Sequence, residues 1–178
     1  MKKKIVIIGA GGHGRVIADL LCLSAEYELV GFADDGLMKG AEVMEGKKVL
    51  AASSEKEFLS SLATHFVVCL GNNSIRKKIV EDLSGVMQAA TLIHPSAVVS
   101  RHASLGAGTV VLANAVINAG CKIGINCIIN SISLVDHDSV VGDHVHIAQG
   151  TVIGSNCRIA ANFSSVPGQV IPSNSTAG

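Results

Sequence analysis

The sequence predicts two architectures in one chain, a short parallel α/β domain followed by a parallel β-helix. The first prediction rests on residues 1–91, where apolar strand-like runs alternate with helix-like segments. The second rests on residues 92–178, where a pattern of six residues repeats without interruption. Composition supports the second, since 19 glycines and no tryptophan among 178 residues favour small aliphatic side chains in regular stacks.

The α/β domain is predicted from apolar runs that suit buried strands and from stretches with helical spacing. Strands are expected at 4–8, 28–32, 65–71 and 86–93, and helices at 15–23, 54–63 and 74–83. The segment SEKE at 54–57 has the spacing of a capping box, which predicts the start of the second helix.

The β-helix is predicted from the sixes counted from residue 92. At the second place of each six, thirteen of fourteen residues are Ile, Val or Leu, and Ser165 is the exception. Three sixes close one triangular coil, so the second-place side chains point inward and form ladders between stacked coils. The sixth place is mostly small and includes Cys121, Cys127 and Cys157, which are therefore predicted to be core residues rather than metal ligands or redox centres.

Composition excludes several classes of partner and location. The 14 basic and 14 acidic residues cancel, so no overall field recruits nucleic acid or an anionic membrane. Five cysteines without a CxxC pair indicate reduced thiols in a cytoplasmic protein. The basic start MKKK precedes only four apolar residues before glycines intervene, which is too short for a secretion signal or a membrane span.

A glycine pattern follows the first predicted strand. Gly9, Gly11 and Gly14 satisfy G-x-G-x-x-G, and Asp34 and Asp35 follow at the end of the second strand. Glycines let the backbone approach a phosphate, and a helix N-terminus offers unpaired N–H groups. A domain of about ninety residues supplies only half of a dinucleotide fold, so a single nucleotide is the better ligand. The alternative is a glycine-rich turn that serves packing alone.

The segment LVDHDSVVGDHVHIAQG at 134–150 gathers three His and three Asp. The aliphatic ladder places His137 at a corner and His146 on an outward face. Asp138 adjoins His137, and a carboxylate beside an imidazole orients the ring and raises its basicity. Because the two histidines are nine residues apart, half a coil, we expect them on different faces of one chain. Metal binding that includes His144 is the alternative, although no HExxH or paired-cysteine element accompanies it.

Four motifs together carry a resemblance that covers nearly the whole chain. They are GAGGHG at 9–14, FADD at 32–35, LGNNSIRKKI at 70–79 and NSISLVDHDSVVGDHVHI at 130–147. In this combination the chain resembles bacterial sugar acyltransferases, namely N-acetyltransferases of nucleotide-linked 4-amino sugars and sialic acid O-acetyltransferases. The resemblance implies a short Rossmann-like N-terminal domain at 1–91 and a left-handed parallel β-helix of hexapeptide repeats at 92–178. Such proteins usually have one or more further coils, which hold coenzyme A, so the resemblance implies that the β-helix of this chain is shortened at its C-terminal end.

The resemblance also implies roles for particular residues. His137 would be the general base, and Asp138 would polarise it. His146 would contact acetyl-CoA from a neighbouring chain, together with Asn130 and Gly150. The nucleotide-sugar site, for the diphosphate and nucleoside of a UDP-sugar, would consist of Gly11, Gly12, His13, Gly14, Asp34, Asp35, Gly71, Asn72, Asn73 and Arg76.

The function implied is that of a homotrimer that moves acetyl from acetyl-CoA to the amino group of a nucleotide-linked sugar. Direct attack by the amine needs no metal and no covalent enzyme intermediate. One alternative is O-acetylation of sialic acid or another sugar, since one histidine base suits amines and hydroxyls alike. Another is a non-catalytic nucleotide-sugar-binding trimer, which the expected shortening favours and the His137–Asp138 pair disfavours.

Overall fold

The computed structural model describes all residues from 1 to 178 and divides them into two compact units, Met1–Ala90 and Thr91–Gly178. The first unit is an α/β sheet domain, and the second is a left-handed parallel β-helix. No helix in the chain combines the length and the apolar character needed to cross a membrane.

The first unit contains six strands and three helices. In chain order they are β1 Lys3–Ile8, α1 Gly12–Cys22, β2 Tyr27–Ala33, β3 Glu42–Met44, β4 Lys47–Ala51, α2 Lys56–Leu62, β5 His65–Val68, α3 Asn73–Leu83 and β6 Gln88–Ala89. The sheet order is β3-β4-β2-β1-β5-β6, and all neighbours are parallel except β3 and β4. The central strand β1 is therefore apolar on both faces, and its Val6 and Ile8 pack in a core with Leu59, Phe66 and Leu83.

Three details of this unit differ from the sequence-based prediction. The antiparallel pair β3–β4 was not expected, and its turn places Glu45 and Gly46 at positive φ, 46° and 76°, as a two-residue hairpin turn requires. The predicted capping box is wrong, because α2 begins after Glu55, whose carboxylate instead accepts from the Ala52 N–H. The predicted strand 86–93 is two strands, since Ala90 N–H still bonds to Phe66 whereas Leu92 N–H bonds to Thr109 in the β-helix.

The second unit contains fourteen two-residue strands, stacked as three parallel sheets in which paired residues are 18 apart. Face 1 comprises β7 Leu92–Ile93, β10 Val110–Val111, β13 Ile128–Ile129 and β16 His146–Ile147. Face 2 comprises β8 Val98–Val99, β11 Val116–Ile117, β14 Leu134–Val135, β17 Val152–Ile153 and β19 Val170–Ile171. Face 3 comprises β9 Ser104–Leu105, β12 Lys122–Ile123, β15 Val140–Val141, β18 Arg158–Ile159 and β20 Thr176–Ala177.

The interior of the β-helix is the aliphatic ladder that the six-residue pattern predicts. Second-place residues from Val111 to Ile159 are buried, and so are Cys121, Cys127 and Cys157, as predicted. Ile93, in the first coil, departs from the pattern, because 45% of its surface is exposed. Ser165 is polar where the pattern has an aliphatic residue, but its side chain is still buried. Its hydroxyl accepts from Ala148 N–H at 2.7 Å and lies 2.9 Å from the Thr151 hydroxyl.

From residue 108 onward, each corner between two faces is turned by a residue in the left-handed conformation. Every sixth residue from 108 to 174 has a positive φ, and the twelve positions form three corner ladders. Ten of them are glycine, asparagine or aspartate, which adopt this conformation readily. His144 and Ile132 are the other two, and a β-branched residue at φ 62° is sterically strained.

Candidate functional site

The corner between β14 and β15 carries an imidazole–carboxylate pair. His137 Nδ1 lies 2.8 Å from Asp138 Oδ2, and both side chains are more than half exposed. This hydrogen bond, followed by the negative charge of Asp136, raises the pKa of His137 above that of an ordinary imidazole. Because Nδ1 is engaged with the carboxylate, Nε2 is the nitrogen that can accept a proton from a substrate.

Asp136 supports the same corner from inside the turn. Its Oδ1 accepts from His137 N–H at 2.8 Å and from the Asn118 side-chain amide at 2.7 Å, one coil below. These two hydrogen bonds, that of Asn118 foremost, lower the pKa of Asp136, so the carboxylate stays charged beside His137. Sequence reasoning missed Asn118, although its spacing of 18 residues from Asp136 places it one coil below in the same corner.

Three residues assigned to acetyl-CoA fall in one region of adjacent coils. Asn130 Nδ2 lies 3.3 Å from His146 Nε2, and Asn130 Oδ1 accepts from Ser131 N–H. Gly150 turns the same corner one coil further on, and its N–H donates to the Ser131 carbonyl. This corner joins face 1 to face 2, whereas His137 lies at the opposite edge of face 2. His137 and His146 are therefore on different faces of one chain, as predicted.

His144, a candidate only for the metal alternative, has a structural position. It is 6% exposed, adopts a φ of 59°, and its Nδ1 lies 2.9 Å from the side-chain amide of Asn126 one coil below. Its corner joins face 3 to face 1, so it does not share the corner of His137. The ring thus replaces a glycine or asparagine in a corner ladder.

The glycine motif of the first unit divides into two pairs with different roles. A Cβ on Gly14 would lie 2.0 Å from the Gly9 carbonyl oxygen, and Gly9 itself has φ 104°, so these two glycines are required for packing and turning. A Cβ on Gly11 or Gly12 would meet nothing within 4 Å. Gly11 is the N-cap of α1, and His13 follows in the first turn, half-buried. The packing interpretation therefore applies to Gly9 and Gly14, while Gly11 and Gly12 leave open space for a ligand.

The two predicted aspartates are held by backbone amides at the carboxyl end of the sheet. Asp34 accepts from Ala10 N–H at 2.8 Å and from the N–H groups of the two residues after Asp35. Asp35 accepts from both the N–H and the hydroxyl of Ser53 at 2.7 Å. They line an open pocket with Ile8, Gly9, Ala33, Gly36, Ser53, Leu70 and Ile79. The pocket lies beyond the carboxyl ends of β1, β2, β4 and β5, where parallel sheets bind ligands.

The segment after β5 contains the remaining predicted residues. Gly71 is exposed with open space around it, and the Asn72 side chain caps α3 by accepting from Ile75 N–H at 3.0 Å. Asn73 is only 8% exposed. Arg76 is fully buried and donates to the Leu70 carbonyl at 3.0 Å, so its guanidinium braces the loop rather than facing solvent. Its burial could not be inferred from its place in an amphipathic helix.

Comparison with known proteins gives matches over parts of the chain and over its whole length. The PglD N-terminal domain family matches residues 4–83. UDP-N-acetylbacillosamine N-acetyltransferase of Bacillus subtilis is 35% identical over 114 residues, which are 62% of this chain and 52% of that protein. The chain thus spans about half the length of the curated relatives it matches.

Solved structures match over nearly the full length. The acetyltransferase domain of PglB from Neisseria gonorrhoeae, in complex with acetyl coenzyme A, is 32% identical with a TM-score of 0.79, covering 100% of this chain and 97% of that one. A mutant of perosamine N-acetyltransferase from Caulobacter crescentus, in complex with CoA and GDP-perosamine, is 27% identical with a TM-score of 0.78, covering 97% and 84%.

Proposed function

Because the chain belongs to the family of hexapeptide-repeat acetyltransferases that includes the PglB acetyltransferase domain, we propose that it acetylates the amino group of a nucleotide-linked sugar. The acyl donor is acetyl-CoA, and the acceptor is a UDP-4-amino sugar. The observation that carries the proposal is the exposed His137 with its Nδ1 on the Asp138 carboxylate. The name of the Bacillus subtilis relative includes a UDP-linked amino sugar, and this supports UDP as the nucleotide of the acceptor.

In the proposed reaction, the amine attacks the thioester carbonyl directly. A C–N bond forms, the C–S bond breaks, and the amine proton passes to Nε2 of His137 as the thiolate of coenzyme A departs. Asp138 stabilises the imidazolium that results. The thiolate of coenzyme A then takes this proton from the His137 imidazolium and leaves as the free thiol, so the chain itself is unchanged after each turnover.

We assign the nucleotide part of the acceptor to the open pocket of the first unit. The diphosphate would bind the N–H groups at the start of α1, since helix N-termini are suited to phosphate. Gly11 and Gly12 leave space for it, because they have no side chains and no neighbours within 4 Å of a Cβ. Asp34 and Asp35 lie at the same edge, and Arg76 and Asn72 shape the loop after β5. We place the protein in the cytoplasm, which agrees with five free cysteines.

We further propose a homotrimer assembled through face 2. The residues that point outward from face 2 are all aliphatic, namely Val98, Val116, Leu134, Val152 and Val170. Their counterparts on face 3 are mostly polar, namely Ser104, Lys122, Val140, Arg158 and Thr176. Face 2 has His137 at one edge and the Asn130 corner at the other, so its contact with a second copy brings His137 near the partner's Asn130 and the partner's His146.

The experiment is release of free coenzyme A thiol from acetyl-CoA, with a panel of UDP- and GDP-linked 4-amino sugars and their hydroxy-sugar counterparts. His137→Ala is expected to lower kcat by about 100- to 10,000-fold, the usual contribution of a general base. The control is His94→Ala, because the His94 side chain bonds to Ser96 in its own turn and lies outside the proposed site. Equal thiol release by wild type and His137→Ala would contradict the proposal, and turnover with hydroxy sugars alone would make the protein an O-acetyltransferase.

A further inference from the structure

Gly120 lies directly beneath the His137–Asp138 pair, one coil earlier in the same corner ladder. Gly120 and Asp138 both adopt left-handed backbone conformations, with φ of 77° and 59°. A Cβ built on Gly120 would lie 2.3 Å from Asp138 Oδ1 and 3.2 Å from its Cγ. The Asp138 carboxylate therefore occupies the volume that any side chain at position 120 would need.

The left-handed backbone alone does not explain a glycine at this position. Asparagine turns the equivalent corner at Asn114, Asn126, Asn156, Asn162 and Asn174. Gly150 and Gly168 also have positive φ, yet a Cβ there would have at least 3.9 Å of clearance or no neighbour within 4 Å. Gly120 differs from both, because the group above it is the carboxylate that bonds to His137.

We propose that Gly120 is a positioning residue, which lets the Asp138 carboxylate lie against the preceding coil and thereby holds it on Nδ1 of His137. Asn118, two residues earlier, anchors Asp136 at the other side of His137, so one coil supports both carboxylates that flank the imidazole. The inference rests on the proposed function, since Gly120 acts on turnover only if His137 is the general base.

A side chain at position 120 is expected to move the carboxylate rather than to unfold the coil. The atoms in its way are the far end of the Asp138 side chain, which can rotate, whereas the Asp138 Cα is 3.5 Å away. Gly120→Ala therefore separates Asp138 from His137 with little change to the ladder of Ile117 and Ile123 on either side.

The test is an NMR titration of His137 in the free protein, together with the pH profile of kcat. Gly120→Ala is expected to lower the pKa of His137 toward that of an ordinary imidazole, because it removes the carboxylate that raises it. The acid limb of kcat should move to lower pH, and kcat should fall about ten- to a hundredfold, as for other small misplacements of catalytic groups. Gly120→Asn is the second variant, since asparagine tolerates the left-handed backbone and carries the same Cβ.

Gly168→Ala is the matched control, because it imposes the same backbone conformation on alanine at φ 70° with no atom within 4 Å of the Cβ. It should leave the pKa of His137 and kcat unchanged. In an Asp138→Gly background, Gly120→Ala should have no further effect on kcat, since no carboxylate is left to displace.

An unchanged pKa of His137 in Gly120→Ala and Gly120→Asn would overturn the inference, and so would an equal loss of kcat in Gly168→Ala. A lowered pKa combined with full thiol release by His137→Ala would leave the positioning intact and remove the general-base proposal instead. The titration needs no turnover, so the two failures are distinguishable.

Discussion

Two histidines show that neighbouring groups shift the pKa of an imidazole in opposite directions at different places in the chain. His137 is exposed and bonds to a carboxylate, which raises its pKa. His65 is only 7% exposed, with the Tyr27 ring at 5.3 Å and the Thr64 hydroxyl 2.9 Å from its Nδ1. Burial foremost, and then the charge of Lys3, lower the pKa of His65. The first histidine is suited to take a proton, and the second contributes to the core as a neutral ring.

Protonation of His65 is expected to make the stability of the protein pH-dependent. Its pKa is lower in the folded chain than in the unfolded one, so the unfolded chain binds more protons between the two values. Stability is then lost as the pH falls through the ordinary imidazole range and below it. His65→Phe, which keeps an aromatic ring beside Tyr27, should flatten this dependence by at most about 1.4 kcal/mol per pH unit.

The measurement is urea unfolding of wild type and His65→Phe between neutral and mildly acidic pH. Taking the difference between the two proteins removes the contribution of the other histidines, including that of His137, which has the opposite sign. Parallel curves for the two proteins would show that His65 does not titrate with folding.

Among the elements, the corner ladders turn the chain between successive strands of the β-helix from β10 onward. Each corner from residue 108 onward contains one left-handed residue, and most of these positions have residues that accept this conformation without strain. Ile132 does not, since it is β-branched at φ 62° and 68% exposed, between the corner residues Asn114 and Gly150 of the adjacent coils. The strained residue is in the segment that joins Asn130 to His137, and backbone strain of this kind is found most often near functional sites.

Ile132→Asn is expected to stabilise the folded chain by about 1 kcal/mol, because asparagine adopts the left-handed conformation at lower cost. This corresponds to a rise of about 2–4 °C in Tm for a chain of this size, measured by thermal unfolding. The control is Ile125→Asn, which makes the same chemical change at an exposed isoleucine that is not at positive φ. A decrease in Tm for both variants would show that strain at Ile132 is not relieved.

At the scale of the whole molecule, the three faces of the β-helix have different surfaces. The outward side of face 2 is aliphatic, with Val98 and Val170 more than 60% exposed in the single chain. Contiguous apolar surface of this kind is typical of protein–protein interfaces. Face 3 carries Lys122 and Arg158 at the same positions of its strands, so it is suited to solvent.

Val116→Lys on face 2 is expected to convert the proposed trimer into monomers, because three lysines would be buried without partners. Val140→Lys is the matched control, since it makes the same change at a half-buried outward position on face 3. Sedimentation at micromolar concentration measures both. A monomeric wild type, or a Val116→Lys variant that stays trimeric, would contradict assembly through face 2.

The sequence predicted the β-helix well because the place of a residue within its six-residue repeat determines its position in the coil. The inward ladder and the placement of His137 and His146 on different faces follow from a period of six, and the structure confirms both. Contacts between coils can also be predicted by counting, because residues 18 apart stack in adjacent coils, as Asn118 does with Asp136.

The first unit was less predictable, because its contacts depend on packing rather than on period. The β3–β4 hairpin has only a single Gly46 as its signal, and the burial of Arg76 depends on a loop carbonyl six residues away. The functional roles of the glycine loop, His137 and the Asn130 corner stay predictions until ligands and variants are measured.

Because the repeat is six residues long, the length of a deletion determines the face on which all later residues lie. A deletion of one whole coil, 18 residues, would shorten the prism and leave every later side chain on its own face. A deletion of six residues would keep the ladders in phase but rotate everything downstream by one third of a turn. Loss of residues 139–144 would thus move His146 from face 1 to the place of Val140 on face 3, away from Asn130. A change in length by whole coils therefore keeps the later residues on their faces, whereas a change of one repeat between residues 130 and 146 would separate the candidate site residues without disturbing the core.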